Sequence, residues 1–178
     1  MAVKKRLTIK NLVAEIMEKH PFEARQSAQD YFRTIMHTVV GQAFLAAGYE
    51  LLNEPMKWTG GRFRYAKSLE NGLTSYIEFQ VLVYNDTAYT GKQPSRFTVN
   101  LYRSDQAGGK PSNHPQYVQR TLSQLVVTDF EVSILPNADY WWQFKDTDSL
   151  GKALAEAGHL IIGYGIPYLA GDLLPDDE

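Results

Sequence analysis

The chain has 178 residues, a formal charge of −2 at pH 7 and a hydrophobic fraction of 44%. This balance excludes a wholly disordered chain and gives no general attraction to nucleic acid or to an anionic membrane. There is no cysteine, so disulfides and thiolate metal sites are excluded as well.

The N-terminus starts basic, but Lys10, Asn11 and Glu15 interrupt its apolar residues, unlike the continuous core of a signal peptide. No apolar run is long enough to span a bilayer. A cytoplasmic protein without membrane contact is expected. Ile9, Leu12, Val13, Ile16 and Met17 have helical spacing behind a Thr8 cap, and Pro21 ends that pattern. Residues 1–20 are therefore read as a helical arm and 21–178 as a single domain.

A longer helix is predicted from about Glu23 to Ala47. Its apolar stripe is Phe32, Ile35, Met36, Val39, Val40, Ala43, Phe44 and Ala47, and Gly48 stands at the C-cap. The period then changes. "RFRYAKSL" (62–69) and "LTSYIEFQVLVY" (73–84) flank Asn71-Gly72, a hairpin signal. "RFTVNLYR" (96–103) repeats the alternation, with Phe97, Val99 and Leu101 on the apolar side.

Two turn-rich segments, 85–95 and 104–116, are candidate binding loops. Residues 117–126 fit either a short helix or a strand lead-in, and 129–135 alternate as a strand. Asp146 or Thr147 caps a last helix with the stripe Leu150, Ala153, Leu154, Ala157, Ile161 and Tyr164, which Gly163, Gly165 and Pro167 should stop. Helices, then a strand meander, then a helix describe an α+β fold. An antiparallel sheet of four to five strands should pack on N-terminal helices and a C-terminal helix.

Three short motifs carry a family likeness: Phe97-Thr98-Val99-Asn100-Leu101, Trp141-Trp142 before the last helix, and Pro167-Tyr168-Leu169 at its end. Over about residues 25–170 the chain resembles a bacterial family known as a domain of unknown function. That family is loosely similar to toxin-immunity proteins. The resemblance implies an immunity-like role in bacterial conflict.

Catalytic patterns are sparse. His20, His37, His114 and His159 form no metal motif, and neither a nucleophile elbow nor a Walker loop occurs. Asp146 and Asp148 are explained by helix capping. No cofactor and no metal are expected. The alternation instead gathers Arg62, Arg64, Glu78, Gln80, Arg96, Asn100 and Tyr102 on one sheet face, flanked by Tyr76 and Tyr84. Arginine and tyrosine dominate interface hot spots, and such a face also suits base stacking. The plain alternative is a solvated face with cross-strand pairs such as Arg64 with Glu78.

Trp141 and Trp142 are read as structural anchors, one toward the core and one toward the rim. The leading expectation is a non-enzymatic domain that binds another protein, with nucleic acid a lesser candidate. The alternatives are an assembly subunit that forms homo-oligomers through the N-terminal helix, and an enzyme with a dispersed site.

Overall fold

A sheet with one aromatic face and one polar face organises the chain. The computed structural model describes the backbone of residues 21–84 and 93–175, with side chains from residue 28 onward. The predicted arm of residues 1–20 and most of the 85–95 loop lie outside the described residues.

Helix α1 (Pro21–Ala46) leads into β1 (Glu50–Leu51), a short α2 (Pro55–Thr59) and β2 (Arg62–Ser68). Then follow β3 (Thr74–Leu82), β4 (Ser95–Ser104), β5 (Val118–Thr121) and α3 (Leu122–Gln124). The chain ends with β6 (Trp142–Phe144), α4 (Thr147–Leu160) and α5 (Ile166–Ala170). All pairings are antiparallel, in the order β1-β2-β3-β4-β5, and β6 also pairs with β4. This is the expected α+β architecture, and the short strands β1 and β6 bring the sheet to six strands.

One face of the sheet presents Phe63, Tyr65, Ile77, Phe79, Phe97, Val99 and Leu101, all buried. Helix α1 covers it with Phe32, Met36, Val40 and Phe44, spaced four apart on a single row. The predicted stripe is wider than the observed one, because Val39 and Ala43 face outward. Helix α4 lies beside α1 and adds Leu150, Leu154, Ala157 and Leu160. The aromatic rings interlock: Phe32 lies 5.7 Å from Phe63 and 5.5 Å from Phe97. No helix of the described residues is long and apolar enough to cross a membrane.

The β2–β3 hairpin forms where Asn71-Gly72 predicts it, with both residues at positive φ (64° and 74°). Ser68 pairs with Thr74, and the Leu69 N–H donates to the Leu73 carbonyl. Glu70 therefore joins Asn71 and Gly72 in a three-residue loop. The ambiguous segment 117–126 is both things in turn: β5, then α3 and a π-turn at Leu125–Asp129. A capping box between Thr121 and Gln124 starts the helix.

Two expectations fail. Residues 129–135 do not form a strand. Glu131 adopts a φ of 54°, outside the extended region, and the Val132 N–H bonds to the Val126 carbonyl and folds the chain back. The last helix also runs past Gly163, Gly165 and Pro167. A π-turn at Ile161–Gly165, closed by the Ile166 N–H on the Ile161 carbonyl, admits Pro167 at the start of α5. Gly171, at a φ of 81°, is the true stop.

The tryptophans divide across β6. Trp142 pairs with Phe97 in the ladder, is buried and stacks on that ring at 5.5 Å, with Tyr140 edge-on at 5.1 Å. Trp141 is half-buried on the opposite face, where the Arg96 guanidinium stands 4.9 Å from its ring. Trp142→Ala is expected to cost about 3–5 kcal/mol in urea unfolding, and Trp141→Ala about 1 kcal/mol. Equal losses would contradict this division.

Candidate functional site

The polar face is built around Arg64. In β2 it alternates with Phe63 and Tyr65, so their burial in the core turns Arg64 to the other side. There it is only 2% exposed. A buried guanidinium carries five donors, more than a single carboxylate opposite can satisfy. The Arg64–Glu78 pair of the plain alternative is not formed, although the two are direct partners in the ladder. Arg64 Nε donates to Glu54 Oε2 at 2.8 Å, and Nη2 donates to Glu54 Oε1, which makes the pair bidentate. Nη1 donates to the Tyr102 hydroxyl at 2.9 Å and to the Gly108 carbonyl at 2.6 Å. The Tyr76 ring lies 4.9 Å from the guanidinium carbon.

Glu54 reaches this position because it precedes Pro55, which holds it off the helical region (φ −128°, ψ 70°) at the entrance to α2. Glu78 is also buried. Both its carboxylate oxygens accept from Arg62 Nη2 at 3.1 Å, and it accepts from the Tyr102 hydroxyl at 3.3 Å and Asn100 Nδ2 at 3.4 Å. Tyr102 is thus the link between the two ion pairs, taking a bond from Arg64 and giving one to Glu78. Burial pushes its phenol up to about 12, with Arg64 opposing and Glu78 adding to the rise, so the donating proton is held at neutral pH. Burial also disfavours the Arg64 charge, but the bonds to Glu54 and Tyr102 outweigh it and keep the guanidinium ionised.

The loop after β4 folds over one end of this face. Ser104 Oγ donates to the Lys110 carbonyl at 2.6 Å and accepts from the Gln106 N–H at 3.0 Å. Gly109, at a φ of 74°, lies directly on the stacked rings of Tyr76 and Tyr102, whose centroids are 4.9 Å apart. A Cβ there would run into Tyr102 and come within 3.0 Å of Tyr76.

Between this strap and α2 a cleft of about 330 Å³ remains open. Arg62, Arg64, Glu78, Gln80, Asn100 and Tyr102 of the sequence-predicted set line it together. Tyr76 lies beneath the strap rather than in the opening. Arg96 stands apart, between Trp141 and Tyr84, and takes no part in lining the cleft. Trp142 is in the core and Trp141 flanks Arg96.

The cleft also recruits Lys57, Gly108, Gly109, Lys110, Pro111 and Gln119, with Glu54 behind Arg64. The Gly-Gly-Lys turn inside a predicted binding loop was a visible signal for part of this set. Nothing periodic in residues 52–61 marks Glu54 or Lys57. Among the described residues no group of three or more His, Asp or Glu side chains is placed to hold a metal ion.

Arg64 holds the Glu54 carboxyl below its ordinary range by hydrogen bonding, despite some opposing desolvation. The stability from this pair is complete above the ordinary glutamate value. It is lost as the pH falls below about 4 and through the lowered one. Glu54→Gln should therefore flatten the acid limb of a stability-versus-pH curve, and an unchanged limb would show that the pair contributes nothing. Gly109→Ala should cost about 1–2 kcal/mol, from strain at positive φ and contact with Tyr102. Limited proteolysis should then cut faster within residues 105–111, and an unchanged cutting rate would count against the strap.

No known protein family, characterised protein or solved structure matches this chain.

Proposed function

We propose that the chain is a non-enzymatic binding domain that engages another protein through the cleft over its polar sheet face. The observation that carries this reading is the preformed floor. Glu54, Arg64, Tyr102, Glu78 and Arg62 are joined in one hydrogen-bonded chain, so the surface that meets a partner is ordered before binding. Preorganisation lowers the entropic cost of association, and arginine with tyrosine supplies the usual anchors.

The base-stacking alternative finds less support. The rings at the cleft, Tyr76 and Tyr102, are stacked on each other beneath Gly109, and Tyr84 and Trp141 stand apart from it beside Arg96. The immunity-like role implied by the sequence resemblance is one form of such protein binding. Assembly through Ile9, Leu12, Val13, Ile16 and Met17 concerns residues outside those described.

Affinity capture from a native bacterial lysate, with the tagged full chain, tests the reading. A specific partner should be retained by the wild type and by Lys152→Ala, an exposed control on α4, and lost with Arg62→Ala. A partner that Arg62→Ala still holds, or no partner at all, would reject the cleft as the binding surface.

A further inference from the structure

We infer that the cleft recognises carboxylate side chains presented by an acidic segment of the partner protein. The inference rests on the cleft being the binding surface and adds the chemistry of what it binds.

Charge sets the sign. Lys57, Arg62, Arg64 and Lys110 face the carboxylates of Glu54 and Glu78, so the cleft carries two positive charges in excess while the whole chain is −2. A cleft lined by one sign of charge concentrates the opposite sign more than isolated surface charges do.

The donors separate into used and available ones. Arg64 commits all three nitrogens to Glu54, Tyr102 and Gly108, so it fixes the floor. Arg62 binds Glu78 through Nη2 alone, and its side chain is 48% exposed. Its Nε and Nη1 have no hydrogen-bond partner among the described residues. Lys57 makes only a loose contact with Glu54, at 3.7 Å. Lys110 is exposed at the mouth, and the Ser104 bond to its carbonyl fixes its backbone there. Three cations with spare donors therefore surround an opening whose floor is already neutralised. That arrangement matches a carboxylate, which takes a planar pair of N–H donors from arginine and a point charge from lysine.

Size restricts the source. A volume of about 330 Å³ accommodates one or two short acidic side chains or a small free acid. The protein-binding reading favours the side chains, because a segment threaded between α2 and the strap also meets Gln80, Asn100 and Gln119 along the cleft.

Calorimetric titration of the full chain with a hexaglutamate peptide, with succinate and with inorganic phosphate tests the inference. The peptide should bind with one site per chain, and weaken by roughly tenfold on moving from low to moderate salt. The Lys57→Ala, Lys110→Ala double variant should weaken it by about tenfold or more, and Lys152→Ala should leave it unchanged. Peptide binding that the double variant retains overturns the cleft as its site. Succinate binding as tight as the peptide assigns the cleft to a free small acid and overturns both this inference and the protein-binding reading. Phosphate binding as tight as the peptide overturns the preference for carboxylate. If the peptide fails to bind while a captured partner still depends on Arg62, the inference falls and the proposed function stands.

Discussion

A guanidinium sealed into a sheet face is the constraint around which the polar half of this structure is arranged. Leaving Arg64 buried with unmet donors would cost several kcal/mol, enough to offset a large part of a domain's net stability. The chain meets that demand from three separate places: Glu54 at the start of α2, Tyr102 in β4 and the Gly108 carbonyl in the following loop. Each partner brings its own segment to the sheet. The short helix, the tyrosine stack and the glycine strap are therefore parts of one solvation shell made of protein.

The opposite face obeys a different rule. Its rings and aliphatic side chains need only volume and contact, and a single row from α1, the stripe of α4 and buried residues such as Leu122, Leu125 and Leu169 close it. Strand β4 is where the two regimes meet. Phe97, Val99 and Leu101 sit in the aromatic core, while Asn100 and Tyr102 hold the charged network one residue away. Period-two alternation lets one strand serve both without compromise.

This alternation is why much of the face could be read from the sequence. With Phe97 and Phe79 inward, the polar set must share the other side, and six of its members line one cleft. What escaped was whatever depends on demand rather than period. Nothing in the alternation says that Arg64 needs more acceptors than Glu78 can offer: the period allows the direct cross-strand pair, and the structure forms the diagonal Arg62–Glu78 pair and turns Arg64 to Glu54. Arg96 shares the polar face yet lies outside the cleft, because period alone does not tell one end of a strand from the other. The missed turn at Glu131 and the continuation past Pro167 share a cause: backbone bonds such as Val132 to Val126 and Ile166 to Ile161 overrode local residue preference.

The pairing of β4 with both β5 and β6 has one more consequence. β5 occupies Asn100–Arg103 and β6 occupies Ser95–Phe97, so the chain leaves and rejoins the same edge of one strand. Residues 122–141 therefore form a handle whose two ends are anchored side by side. A handle attached in this way can lengthen or shorten at its exposed tip without altering the register of any strand. If lineages of this fold have diverged in length, this is where the sheet would have absorbed the change unnoticed.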